Sequence, residues 1–170
     1  MGKTFAPGDK VIYGSNGVCT MVEITQKDFG GQSRDYYVLR PSSFGTSVFY
    51  VPVDSPLTSR IRPVKNAAQL DRLIAACRVT EEEWIPDDRA RQTQIKSVME
   101  NGDTPELLHC FKLLMMRQRS LAQCGKKLRA VDERLLHEIE TILTDELLLA
   151  TALAREDAAA YLLGEAEIRL

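Results

Sequence analysis

TEEEWIPDDRAR, residues 80–91, holds the only tryptophan of the chain, Trp84, and stands between two kinds of sequence. Well upstream of it, short β-branched and aromatic runs alternate with Gly- and Pro-rich turns; downstream, apolar residues recur at helical spacing almost to the end. A lone tryptophan at such a seam has two readings. It packs the two halves together, since large aromatics dominate cores and interfaces, or it is a probe aimed at a partner, with Arg89, Arg91 and Lys96 following it.

Within the stretch, Thr80 with Glu83 three residues on has the capping-box form and predicts a short helical turn carrying Trp84, stopped by Pro86. Asp87 or Asp88 then caps a helix running to about Glu100, closed by Asn101-Gly102. Upstream, Asn66 caps a helix whose apolar face is Ala67, Leu70, Leu73, Ile74 and Cys77. Downstream, Asp103-Thr104-Pro105-Glu106 opens a helix with an acid cap and the stripe Leu107, Leu108, Phe111, Leu114 and Met115. Met115-Met116 reads as core filler, and Lys112, Arg117 and Arg119 collect on the outward face. Gly125-Lys126-Lys127 is a basic turn without the first glycine or the Ser/Thr of a phosphate loop. A long helix from about Val131 to Leu153 turns Leu135, Ile139, Ile142, Leu143 and Leu147 inward and an acidic face to solvent, and Glu156–Leu163 closes the chain. Residues 66–170 thus read as a bundle of about five helices.

Residues 1–65 read as strands. Lys10–Tyr13 ends at Gly14-Ser15-Asn16-Gly17, whose Asn-Gly pair predicts a tight turn. Val18–Thr25, Asp35–Arg40 and Thr46–Val51 follow, and Arg60–Val64 adds a short fifth. Pro52 cannot donate to a ladder, so the fourth strand ends there or lies at an edge. Short strands and Gly-rich turns in this length imply a small, bent barrel of the SH3 or Tudor type. The fold class is α+β: a β-barrel, then an all-α bundle.

Composition narrows the function. The 170 residues are 44% apolar, enough for a real core, and no run of about 18 apolar residues predicts a membrane span. The opening MGKTFAPGDK lacks the apolar segment of a secretory signal, and a cytoplasmic protein is expected. Cys19, Cys77, Cys110 and Cys124 form no CxxC pair and read as reduced, buried thiols; with two histidines, neither a zinc site nor a catalytic set is indicated, and no cofactor or enzymatic role is expected. The net charge of −2 is uneven: +3 over residues 1–65, −2 over 66–84, +4 over 85–129 and −7 over 130–170. The block after Trp84 offers a local phosphate-facing surface; its alternative is a solvated helix face.

Phe5-Ala6-Pro7-Gly8-Asp9-Lys10-Val11-Ile12-Tyr13, Asn16-Gly17-Val18, Tyr36-Tyr37-Val38-Leu39, Val51-Pro52-Val53-Asp54 and Arg60-Ile61-Arg62-Pro63-Val64 resemble, in order, the CarD/CdnL family of bacterial RNA polymerase-binding transcription regulators. Trp84-Ile85, Asn101-Gly102-Asp103, Gly125-Lys126-Lys127-Leu128 and Asp132-Glu133 continue the resemblance. Departures are Gly14-Ser15-Asn16, where the family has Pro-x-His, Cys19 in place of a common glycine, and the acids Asp87-Asp88 beside Trp84.

The resemblance implies a tether. The barrel, similar to the polymerase-interacting domain of the transcription-repair coupling factor, would pair an exposed strand with the polymerase β subunit. Here that maps to Thr46, Ser47, Val48, Phe49, Tyr50, Val51 and Pro52, with Lys27 on a neighbouring loop. The helical part would lie on promoter DNA, with Trp84 wedged into the minor groove at the edge of the open bubble. Arg89, Arg91, Lys96, Lys126 and Lys127 would hold phosphates, with little sequence specificity. The implied function is stabilisation of the open promoter complex by a nucleoid-associated regulator. The alternative is an adaptor that docks on polymerase without touching DNA.

Overall fold

The computed structural model describes residues 4–81 and 83–166. Met1–Lys3, where the signal-peptide reading begins, and Glu82, inside the proposed capping box, lie outside the described residues.

β1 (Lys10–Tyr13), β2 (Val18–Asp28), β3 (Ser33–Pro41), β4 (Phe49–Pro52) and β5 (Ile61–Pro63) form one antiparallel sheet in the order β4-β3-β2-β1-β5. Pro52 and Pro63 end the two outer strands, where a missing N–H costs no ladder bond. A register shift between Met21 and Glu23 marks a bulge that bends β2, and a 3-10 turn, Pro56–Arg60, links the two outer strands. Alternation along β1 puts neighbouring residues on opposite faces. Val11 joins Phe5, Cys19, Met21, Tyr37, Leu39, Val51 and Ile61 inside the barrel, whereas Ile12 and Val18 join the core of the helices.

Those helices are α1 (Ala67–Arg78), α2 (Asp88–Asn101), α3 (Thr104–Gln123), α4 (Ala130–Ala150) and α5 (Ala158–Leu162), the last preceded by a 3-10 turn. The periodic faces are buried as the spacing predicts: Leu70, Ile74 and Cys77; Leu107, Leu108, Phe111 and Leu114; Leu135, Ile139, Ile142, Leu143 and Leu147. Asn66 and Gln69 complete a reciprocal capping box on α1, Asp87 accepts from Ala90 N at 2.7 Å to cap α2, and Gly102 closes α2 at φ +68°.

The structure corrects several expectations. The strand containing Tyr50 begins at Phe49, so Thr46, Ser47 and Val48 precede it, and Lys27 lies on β2 rather than on a loop. Thr80 starts no helical turn: its hydroxyl donates back to Ala76 O at 3.1 Å, finishing α1, and residues 81 and 83–87 have no regular structure. Pro86 contributes to this, because the residue before a proline avoids the helical region. Asp103 makes no side-chain cap bond. Met116 and Cys124 are exposed rather than buried.

The Asn-Gly turn is also different. Gly14–Asn16 is a 3-10 turn in which Gly14 and Gly17, not Asn16, take positive φ. The reason is packing. A Cβ on Gly14 would lie 2.5 Å from Glu100 O, and one on Gly102 would lie 3.1 Å from Gly14 Cα, so barrel and bundle meet here backbone to backbone.

The acidic face expected on α4 is in part internal, since Asp132, Asp145 and Glu146 are all buried. Glu146 receives Arg62 Nη1 at 2.7 Å and Nη2 at 2.9 Å, Lys65 N at 2.9 Å and Thr104 Oγ1 at 3.2 Å, and Arg62 Nε also donates to Gly102 O. Asp145 holds the Ser43 hydroxyl and Arg155. A buried carboxylate persists only when its lone pairs are met. Here strand, loop and helix all contribute donors.

Candidate functional site

Two surfaces gather the residues singled out by sequence. The first is the outer side of β2-β3-β4. β4 pairs with β3 through Leu39↔Phe49, Val38↔Tyr50, Tyr37↔Val51 and Tyr36↔Pro52, and among the described residues its other edge faces no strand. Phe49 and Val51 point toward the barrel core, while Tyr50, 40% exposed, points out. Lys27 Nζ sits 4.4 Å from the centre of the Tyr50 ring and donates to its hydroxyl at 3.3 Å. Phe29, 55% exposed, meets Tyr36 and Tyr50 edge-on at 5.2 and 6.0 Å. An unpaired strand edge beside exposed aromatics is a template for strand addition, with main-chain bonds giving affinity and side chains register.

The second surface surrounds Trp84. Its half-buried ring packs on the helical core, and two guanidinium carbons lie over it: Arg91 at 4.1 Å and Arg117 at 5.1 Å from the ring centre. Arg91 is only 1% exposed. Its Nη1 donates to Ile85 O at 2.7 Å, and its Nη2 reaches Asp132 Oδ2 at 2.6 Å and Asp88 Oδ1 at 2.7 Å. Burial opposes its charge, but its hydrogen bonds to Asp132 and Asp88 outweigh that and hold its pKa above the ordinary arginine range. Arg91 is thus turned inward, away from the surface place expected of a phosphate ligand. It anchors the irregular segment that carries Trp84.

The neighbouring acids are engaged in the same framework. Asp87 caps α2, and Asp88 pairs with Arg91 and with Arg129. The hydrogen bond from Arg91, aided by Arg129, keeps the Asp88 carboxyl below the usual carboxylate range. Neither acid is an unopposed charge beside the ring.

The remaining predicted bases divide. Lys126 and Lys127 are exposed on the turn after α3, where Lys126 N donates to Leu121 O. Arg117 is on the C-terminal half of α3, so these three cations and Trp84 share one end of the bundle. Arg89 and Lys96 are exposed on α2, seven residues apart and hence on nearly one face, whereas Arg91 points roughly 160° away at ~100° per residue. Lys96 lines a groove of about 350 Å³ between α2 and α4 with Gln92, Glu100, Arg134 and Glu138. The expected basic set is therefore split over two faces of α2.

Sequence reasoning missed Arg117 as a neighbour of Trp84, and Arg129 and Asp132 as partners of Asp88 and Arg91. The i,i+3 spacing of Asp88 and Arg91 was a usable signal for their pair; Asp132 is 41 positions from Arg91, but its place seven residues before Ile139 marked it as facing inward. Among the described residues, no group of three His, Cys, Asp or Glu side chains could hold a metal ion, and no helix is long and apolar enough to cross a membrane.

Comparison with known proteins adds a family match for the N-terminal part. Residues 5–65 match the family model of the CarD-like/TRCF RID domain. Over 141 residues, 81% of this chain and 92% of the relative, the sequence is 25% identical to the Bacillus subtilis (strain 168) protein named "Putative transcription factor YdeB".

Proposed function

With a CarD-like/TRCF RID domain at residues 5–65, we propose that this protein is a transcription regulator. It grips the RNA polymerase β subunit through its barrel and stabilises the open promoter complex through its helices. The working division is residues 1–65 for polymerase and 66–170 for DNA, with the protein at the nucleoid through polymerase. The observation that carries the reading is the free edge of β4, flanked by exposed Tyr50 and Phe29, within the matched domain. A β-subunit strand adds to that edge.

Trp84 then acts as an apolar wedge in the minor groove, making unstacking easier and re-closure harder. Arg91 and Asp132 position it: a segment without regular structure is held by the bond to Ile85 O, so little ordering cost remains at binding. Lys126 and Lys127 supply phosphate contacts on the wedge side, with Arg89 and Lys96 on the flank of α2. No bond is made or broken.

The half-buried state of Trp84 favours one second reading, an adaptor docked on polymerase with its tryptophan used only for packing. Open-complex lifetimes with cognate polymerase separate the two. The wedge predicts that Trp84→Ala binds polymerase normally but no longer prolongs the lifetime. Equal lifetimes for a folded Trp84→Ala and the unmodified chain would replace the wedge by the adaptor.

A further inference from the structure

We propose that Arg117 covers the Trp84 indole in the free protein and leaves it for a backbone phosphate when Trp84 enters DNA. This rests on the DNA-binding reading above and adds a phosphate ligand to that site.

Four other bases near α3 and Trp84 are committed inside the protein. Lys112 Nζ donates to the carbonyls of Cys77, Arg78 and Thr80 at the end of α1. Arg119 pairs with Glu165, Arg129 pairs with Asp88, and Arg91 is buried against Asp132. Arg117 is exposed, and among the described residues no carboxylate pairs with it; its contact is the Trp84 ring, 5.1 Å away. The two guanidiniums over this one indole therefore have opposite characters. One is locked by four hydrogen bonds to Ile85, Asp88 and Asp132, and the other is held by the ring alone.

An exposed guanidinium over an indole is held weakly. A bidentate contact with a phosphate is charge-assisted and among the stronger hydrogen bonds. A phosphate brought to the edge of Trp84 therefore takes Arg117 from the ring, uncovering an apolar surface just where a base step is being opened. Lys126 and Lys127 follow nine and ten residues on, exposed on the turn after α3. In the free protein the stack shields part of the indole from water, so the wedge is exposed only where phosphate is present.

The test uses the full chain and a fluorescently labelled forked duplex, with binding read by anisotropy across a salt series. Arg117→Gln should flatten the slope of log K against log salt by about 0.9, the value for one lost phosphate contact on duplex DNA. Arg117→Lys keeps the charge and should keep the slope. In the free protein, Arg117→Gln should raise quenching of Trp84 by neutral acrylamide. An unchanged slope in Arg117→Gln overturns the inference, as does unchanged quenching. If Arg117→Gln is destabilised, Arg117→Lys decides, and a flattened slope there also overturns it. Failure of the underlying reading looks different: the unmodified chain and Trp84→Ala would then bind the fork equally well, or neither would bind.

Discussion

Replacing Glu146 by alanine removes the central acceptor of the joint between barrel and bundle. Glu146 is fully buried, and the change strands the Arg62 guanidinium, the Thr104 hydroxyl and the Lys65 N–H around one vacancy. Removing one partner of a buried ion pair costs about 3–5 kcal/mol, because the other charge stays buried and unopposed. For a chain of this size each kcal/mol lowers the melting temperature by about 2–4 °C, so a fall of about 6–20 °C is expected. Replacing both partners, Arg62→Met with Glu146→Leu, removes the stranded charge and should cost less than Glu146→Ala alone. Denaturant unfolding followed by Trp84 fluorescence and by far-ultraviolet circular dichroism measures both variants. The fluorescence reports the bundle, the dichroism the whole chain. Because Ile12 and Val18 share the helical core, the two probes should still report one transition. A Glu146→Ala protein within about 0.5 kcal/mol of the parent, a size ordinary for surface changes, would refute the reasoning. So would a double variant no better than the single one.

Other outcomes follow from the same structure. Gly14→Ala meets both a positive φ, costing about 1–2 kcal/mol, and the Glu100 carbonyl; Gly30→Ala meets only the φ cost, so melting should fall further for Gly14→Ala. Asp132→Ala removes two of the four hydrogen bonds of Arg91 and leaves Asp88 and Ile85 O, so it should cost about 1.5–3 kcal/mol, with a red shift of Trp84 emission as its segment loosens. Burial pushes the Cys19 thiol up to about 12, so at pH 8 a thiol reagent should modify exposed Cys124 quickly and Cys19 only after unfolding. The sign is that of a raised acid: the folded state favours the neutral thiol, so its contribution holds below the unfolded thiol pKa and erodes as pH rises from there toward 12. Tyr50→Ala, on the outer face of β4, should weaken capture of polymerase while leaving melting within about 1 kcal/mol of the parent.

Local signals made much of this fold legible. Asn66, Asp87 and Gly102 stand where helices start and stop because each meets a backbone need set within four residues. Pro52 located the end of an outer strand by its missing N–H. What stayed hidden depends on partners far along the chain. Asp132 and Glu146 stand seven residues before and after Ile139, within the inward stripe of α4, yet as charged residues they read as solvated; their partners Arg91 and Arg62 lie 41 and 84 positions away, and Ser43 lies 102 from Asp145. Arg91 was misplaced for the same reason: a base three residues after an acid pair reads as surface until its buried acceptor on α4 is known. At the Asn-Gly turn the approach of α2 was equally remote: the Glu100 carbonyl leaves no room for a Cβ at Gly14, which with Gly17 takes the positive φ.

The double burial of β1 bears on how the chain is made. Ile12 and Arg62 emerge early from the ribosome, but Glu146 is 84 positions beyond Arg62. At about 5–20 residues per second, the barrel waits roughly 4–17 s for the helix that covers its second face. During that interval Ile12 and Val18 lie open and the Arg62 guanidinium has no acid to meet. A nascent chain stalled just before α4 should therefore recruit chaperones and yield to proteases that spare the finished protein.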